Sequence, residues 1–179
     1  MLDQKLAFID IETTGLDRDE HEIIELAVVV TQLKDGKLEV IDELDLKIQP
    51  KNIGKAEPQA LRINGYNEAD WLFAVSLEEA MKMFAQKTEG AIFVAHNLTF
   101  DHGFIEKAFK STKVENKMHY HKLDTIGLAF GILHHSGDMG KLSLKSLCEK
   151  FGIENKKAHS AFADTYALYE VFKKLMNLK

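Results

Sequence analysis

Three short segments of this chain carry acids that a fold must either bring together or leave as isolated charges. Asp10 and Glu12 lie in FIDIETTGL, Asp101 in HNLTFD, and Asp164 in HSAFAD with His159 five residues before it. A buried carboxylate without a partner is expensive. A fold in which these segments converge removes that cost only if something positive joins them.

The elements around the acids are readable from periodicity. Residues 5–11 (KLAFIDI) predict a short buried strand ending in the acidic pair. Residues 22–33 (EIIELAVVVTQL) are a second β-branched run, and Asp35-Gly36 supplies a hairpin turn before LEVIDELDLKI at 38–48. A short helix is expected over 57–63, stopped near Asn64-Gly65. Ser76 followed by Glu79 makes a capping box, and Leu77, Ala80, Met81 and Phe84 give helical spacing through about 88. AIFVA at 91–95 predicts a fully apolar strand, followed by a helix from about 101 to 110. Further helices are expected over 123–133 and 142–151, with a loop opened by Gly137 and Gly140 between them. The last helix, over 159–176, carries an apolar stripe of Ala161, Phe162, Thr165, Leu168, Tyr169, Phe172 and Leu175. Hairpin strands first, then alternating strands and helices, predict an α/β fold: a mixed central sheet flanked by helices, in one domain over 1–179.

Residues two apart on a strand share a face, so Asp10 and Glu12 project together while Ile9 and Ile11 point to the other side. Like charges this close raise each other's pKa, and a divalent cation between them reverses the penalty. The plainer alternative leaves one of the two in solvent or at an N-cap. Thr13-Thr14-Gly15 follows with hydroxyls, backbone donors and a flexible turn; Leu16 beyond it either wedges against a terminal base or belongs to the core. Asn97 or Thr99 can cap the helix that holds Asp101, with Asp101 complementing its dipole. His159 and Asp164 would lie about 140° apart on a continuous helix, so they share one site only if His159 sits in the preceding loop or the first turn. Otherwise His159 is a helix-start polar residue and Asp164 a solvent-facing acid.

Taken together, carboxylates around one site fit Mg²⁺ or Mn²⁺ better than Zn²⁺, which prefers more His or Cys ligands. Two such ions about 3.5–4 Å apart can hold a scissile phosphate. Histidine, titrating near neutrality, suits the proton of an attacking water. This is the chemistry of a phosphodiesterase.

Composition narrows the setting. The 179 residues suffice to bury roughly two-thirds of the unfolded surface, and 45% hydrophobic content with 11 Phe is that of a soluble globular chain. Formal charge is -5, and of the 23 Lys and Arg residues only Arg18 and Arg62 are arginines. A rigid bidentate phosphate-reading surface and tight duplex binding are therefore disfavoured. Cys148 is the only cysteine, excluding an intramolecular disulfide and a thiolate metal site. No signal-like segment opens the chain and no stretch nears the ~20 apolar residues of a membrane span, so cytoplasm and no membrane are the expectation.

Phe8 to Gly15 (FIDIETTG), His96-Asn97 with Phe100-Asp101, and His159-Ala161-Asp164 together resemble the three motifs of the DnaQ-like, or DEDDh, 3′→5′ exonucleases. Their spacing, about 90 and then 60 residues, is similar too, and the likeness to proofreading exonuclease domains spans nearly the whole chain. The resemblance implies a ribonuclease H-like fold and two Mg²⁺ or Mn²⁺ ions on Asp10, Glu12, Asp101 and Asp164, with Asp10 bridging both. It implies His159 as general base, and Thr13, Thr14, Leu16 and Asn97 as contacts to the 3′-terminal nucleotide. The implied activity is release of nucleoside 5′-monophosphates from the 3′ end of single-stranded DNA or RNA, with DNA the first expectation. An exoribonuclease of the RNase T or oligoribonuclease type, an enzyme cutting internal phosphodiesters, and a non-catalytic nucleic-acid-binding module are the alternatives. A polymerase or repair partner is a further implication. The close of the chain at Lys179 favours a free-standing nuclease over a stable polymerase subunit.

Overall fold

The computed structural model describes residues 4–34, 36–134, 140–155 and 159–178; Asp35 of the hairpin turn and Gly137 of the expected loop lie outside them. Three antiparallel strands come first, β1 (Lys5–Thr13), β2 (Ile23–Lys34) and β3 (Lys37–Lys47). They are followed by α1 (Pro58–Asn64), α2 (Leu77–Lys87), β4 (Ile92–Ala95), α3 (Leu98–Thr112), β5 (Lys122–Asp124), α4 (Thr125–Leu133), α5 (Leu144–Phe151) and α6 (Ala161–Met176). The sheet order is β3-β2-β1-β4-β5, with β4 parallel to β1 and β5 parallel to β4. The expected mixed sheet with an antiparallel edge is the observed one.

Alternation along β1 divides the core. Ala7, Ile9 and Ile11 face α2 and α3, packing with Met81, Phe84, Phe104 and Ile105. Phe8 faces α6, its ring edge-on to Tyr169 at 5.3 Å and to Phe172 at 5.2 Å. Burying such a ring contributes about 1.5–3 kcal/mol. Asp10 and Glu12 continue the Phe8 face, so the packing that seats Phe8 against α6 also aims both acids at the start of that helix. The α6 stripe is buried as expected from Ala161 to Leu175, except that Phe162 is half-buried and packs edge-on to Tyr166. Helices α4 and α5 cover the outer side of α6.

Two elements differ from the sequence reading. Leu123 and Asp124 of the expected 123–133 helix belong instead to β5, and the helix starts at Thr125 after Asp124, which accepts the N–H of Ile126 at 2.8 Å. Helix α3 begins at Leu98 rather than near 101, and neither Asn97 nor Thr99 caps it. Asn97 takes a left-handed conformation (φ 67°), and the Leu98 N–H goes to Asp124 at 3.1 Å. One aspartate thus serves the starts of two helices. No described helix is long and apolar enough to cross a membrane.

Candidate active site

The site forms where β1 outruns its parallel neighbour. The β1–β4 ladder ends at Phe8 paired with Val94, so the β4 side of β1 is open beyond that point. Asp101, in the first turn of α3, fills the opening and accepts the backbone N–H of Ile11 at 3.2 Å. That bond sets Asp101 between the two acids of β1. A register shift after Glu12 then turns the strand out of the sheet.

From the other side comes the start of α6. His159 lies in the loop two residues before the helix, at φ 71°, and its N–H donates to Asp164 Oδ2 at 2.9 Å. Asp164 also accepts from Asn155 Nδ2 at 2.5 Å. The left-handed residue folds the loop back on the first turn, which resolves the angular problem of a five-residue spacing. Glu12, His159 and Asp164 each bring a ligand atom within 4.8 Å of the other two. Asp164 is half-buried and doubly bonded rather than solvent-facing.

The electrostatics tie in the remaining two acids. Burial pushes the Asp10 carboxyl well up, and the charges of Asp101, Asp164, Glu12 and Glu25 push further. Burial, then Asp164 and Glu25, raises Glu12 to about 7. Burial raises Asp101 to about 8 against the pull of its backbone hydrogen bonds. Lys47, 3.5 Å from Glu25, is the cation that the described residues bring to this group. The carboxylates of Asp10, Glu12, Asp101 and Asp164 form an all-oxygen donor set with excess negative charge, with Glu25 paired to Lys47 beside them. Hard divalent cations fit it.

The TTGL segment is not the flexible turn expected. Asn64 Nδ2 donates to Thr13 O at 3.0 Å, and Glu57 N to Thr14 O at 2.8 Å. Thr14 N donates to Glu22 O and Thr14 Oγ1 accepts from Glu22 N, both at 2.9 Å. The Thr13 hydroxyl closes on Gly15 O at 2.7 Å. Gly15 lies under the His21 ring, where a Cβ would come within 2.5 Å of Nε2. Both threonines are buried, whereas Leu16 is 75% exposed. Leu16 is not core. The rigid turn presents it to solvent beside the acids.

Sequence reasoning missed Glu25, Asn64, Asp124 and Asn155. Glu25 pairs with Glu12 across β1 and β2, a relationship that only strand register discloses. Asn64, expected at a helix stop, also holds the motif turn.

Comparison with known proteins bears on the family and the fold. A ribonuclease T from Shewanella sp. (strain ANA-3) is 35% identical over 94% of this chain and 80% of its own length. One from Shewanella baltica (strain OS155) is 33% identical over the same shares. Exonuclease I of E. coli, solved with a dT13 oligonucleotide, superposes with a TM-score of 0.80 at 20% identity, over 97% of this chain and 41% of that one. Cell-death related nuclease 4 gives 0.80 at 15% identity, over 97% and 64%. Those two likenesses show the fold, and the chain spans less than two-thirds of either solved chain. The RNase_T family model, described as exonuclease, matches residues 7–172, a span that runs from β1 through the motif acids to α6. The chain therefore belongs to the RNase_T exonuclease family, as a DnaQ-like 3′→5′ exonuclease.

Proposed function

We propose that this exonuclease takes single-stranded 3′ ends and releases nucleoside 5′-monophosphates, with His159 accepting the proton of the attacking water. The observation that carries the reading is the cluster of Glu12, His159 and Asp164 within 4.8 Å, beside half-buried Asp10 and buried Asp101. Exonucleases of this family use divalent metal ions. Asp10, Glu12, Asp101 and Asp164 would hold two of them, Mg²⁺ or Mn²⁺. When bound, such ions supply Lewis acidity to the scissile phosphate and the attacking water.

The protein's own residues do the rest. Asp101 locks the β1 backbone between Asp10 and Glu12, so the donor oxygens are set before substrate arrives. Asp164 fixes the backbone of His159, which limits where the imidazole can reach. The pinned Thr13-Thr14 turn offers its shape and Leu16 to the terminal nucleotide, and Asn97, left-handed at the head of α3 and one turn before Asp101, is the further candidate contact. RNA is the substrate that the relatives named ribonuclease T support. Single-stranded DNA, the first expectation from the motifs, is the other arm of the test.

The test is a time course on 3′-labelled and 5′-labelled RNA and DNA oligomers with Mg²⁺ or Mn²⁺, beside circular single strands. The expected result is immediate release of the 3′ label as a 5′-monophosphate, faster from RNA, with circles left intact. Cutting of circles, or nucleoside 3′-monophosphates as product, would overturn the reading. Faster loss from DNA would reverse the substrate preference alone.

A further inference from the structure

Glu25 is a buried acid beside the catalytic ones, and it takes no part in their cluster. Glu12, Glu25 and Lys47 are direct cross-strand partners on β1, β2 and β3, so their side chains form one row on the α6 face. Glu25 is 8% exposed. Its two oxygens are separately engaged. Oε2 accepts the backbone N–H of Ala161 at 3.1 Å, and Oε1 faces Lys47 Nζ at 3.5 Å. Lys47 is held in turn over the Trp71 ring at 3.6 Å, and the Trp71 indole N–H is fixed by Ile24 O at 3.1 Å.

Ala161 is the first residue of α6, two after His159 and three before Asp164. The preceding Ser160 makes no side-chain cap at this helix start. Glu25 supplies from another strand what a local cap would supply: an acceptor for an orphan N–H and a negative charge at the positive end of the helix. Asp164 restrains the same turn from inside, through the His159 N–H. The junction between His159 and α6 is thereby held twice, once by its own helix and once by the sheet.

We propose that Glu25, neutralised by Lys47, is a positioning residue that sets His159 against the acid cluster by fixing the first turn of α6. The role rests on the reading of His159 as proton acceptor. A ligand role for Glu25 is the competing possibility, and the engagement of both its oxygens argues against it.

The experiment is a double-mutant cycle on the full chain, with kcat and KM measured on a single-stranded oligomer at saturating Mn²⁺. Glu25→Ala should lower kcat about 10–100-fold with little change in KM, the scale expected when a buried charged acceptor behind a catalytic group is removed. Glu25→Gln keeps an acceptor oxygen and should recover most of that loss. Lys47→Met should lower kcat less than Glu25→Ala does. In a His159→Ala background, Glu25→Ala should cost less than about threefold more, because the group it positions is already gone. Losses that multiply in the double variant, together with a higher Mn²⁺ requirement, would overturn the positioning role in favour of metal binding. A Gln variant as poor as the Ala variant would overturn it as well, and it remains readable if Glu25→Ala fails to fold. His159→Ala with undiminished kcat would instead remove the proton-acceptor reading, and this role with it.

Discussion

The N–H of His159 donates to Oδ2 of Asp164 at 2.9 Å, so the histidine that the described residues bring to the acid cluster is held by one of those acids. The bond closes a loop whose first residue is left-handed and whose last lies in the first turn of α6. It explains how residues five apart can serve one site. His159→Ala should lower turnover about 10²–10⁴-fold, the cost of losing a proton acceptor, with a smaller effect on KM. Raising the pH should recover part of the loss as hydroxide becomes available. Steady-state kinetics across pH 7–10 check this, and a defect confined to KM would make His159 a binding residue.

Asp10 is the acid most burdened by its neighbours, with burial first and four carboxylate charges after it. Replacing it by Asn should nearly abolish hydrolysis while relieving the metal-free fold of repulsion. The metal-free melting temperature should rise by ~2–4 °C, the shift that ~1 kcal/mol produces in a chain of this size. The increase in melting temperature on adding Mn²⁺ should shrink. Calorimetry with and without EDTA reads both effects. A lower metal-free melting temperature would mean that Asp10 is held by attractions not identified in the site.

The motif acids and histidine were legible because period-two and helical spacing are local properties. Asp10 and Glu12 share the Phe8 face as alternation requires, and Ser76 with Glu79 forms the expected capping box. What escaped was non-local. Glu25 sits in EIIELAVVV, an ordinary strand by pattern, and becomes informative only when register sets it opposite Glu12. Asp124 caps Leu98 from 26 residues away, across the parallel pairing of β4 with β5. The three-residue β5 is too short to show a period against the helical spacing that follows it. The rigidity of the TTGL turn comes from Asn64, Glu57 and Glu22, none of which belongs to the motif.

Without divalent cations the stability of this fold should fall as pH rises. Glu12 goes from its ordinary value of 4.5 to about 7, and Asp101 from 3.8 to about 8. Between about pH 4 and 8 the unfolded chain has released protons that the folded one still holds, so raising the pH favours unfolding. The contribution is fully present below the unfolded values and is lost as pH climbs through the folded ones. Urea midpoints in EDTA should therefore decline from pH 5.5 to 8.5. Mn²⁺ at about 100 times its Kd should restore ~2.7 kcal/mol at the upper end. A metal-free midpoint that rises over this range would contradict the assignment of these two carboxyls.

Cys148 should be silent in catalysis. It is buried in α5 among Leu147, Ala129, Leu133 and Val171, on the outer side of α6, and burial pushes its thiol pKa up. A protonated, covered thiol is a poor nucleophile. Cys148→Ala should leave kcat unchanged and cost about 1–3 kcal/mol of stability through the small cavity it opens. A variant that stays folded but loses turnover would place a reacting group where the structure has only packing.

Leu16 stands at 75% exposure on a turn whose backbone and hydroxyls are tied down on several sides. Exposed leucine has no folding role to lose, so Leu16→Ala should change stability by less than about 0.5 kcal/mol. If the side chain lies against the terminal base, its removal takes away apolar contact that exists only in the complex. KM for a short oligomer should then rise about 5–30-fold, equivalent to ~1–2 kcal/mol of lost contact, while kcat falls less. The comparison that isolates this is Leu16→Ala against Gly15→Ala. An alanine Cβ at position 15 would meet the His21 ring at 2.5–2.6 Å and force the turn itself to move. Gly15→Ala should therefore lower stability and kcat together, where Leu16→Ala should act mainly on KM and leave stability unchanged. Equal KM values for the wild type and Leu16→Ala would take Leu16 out of substrate binding.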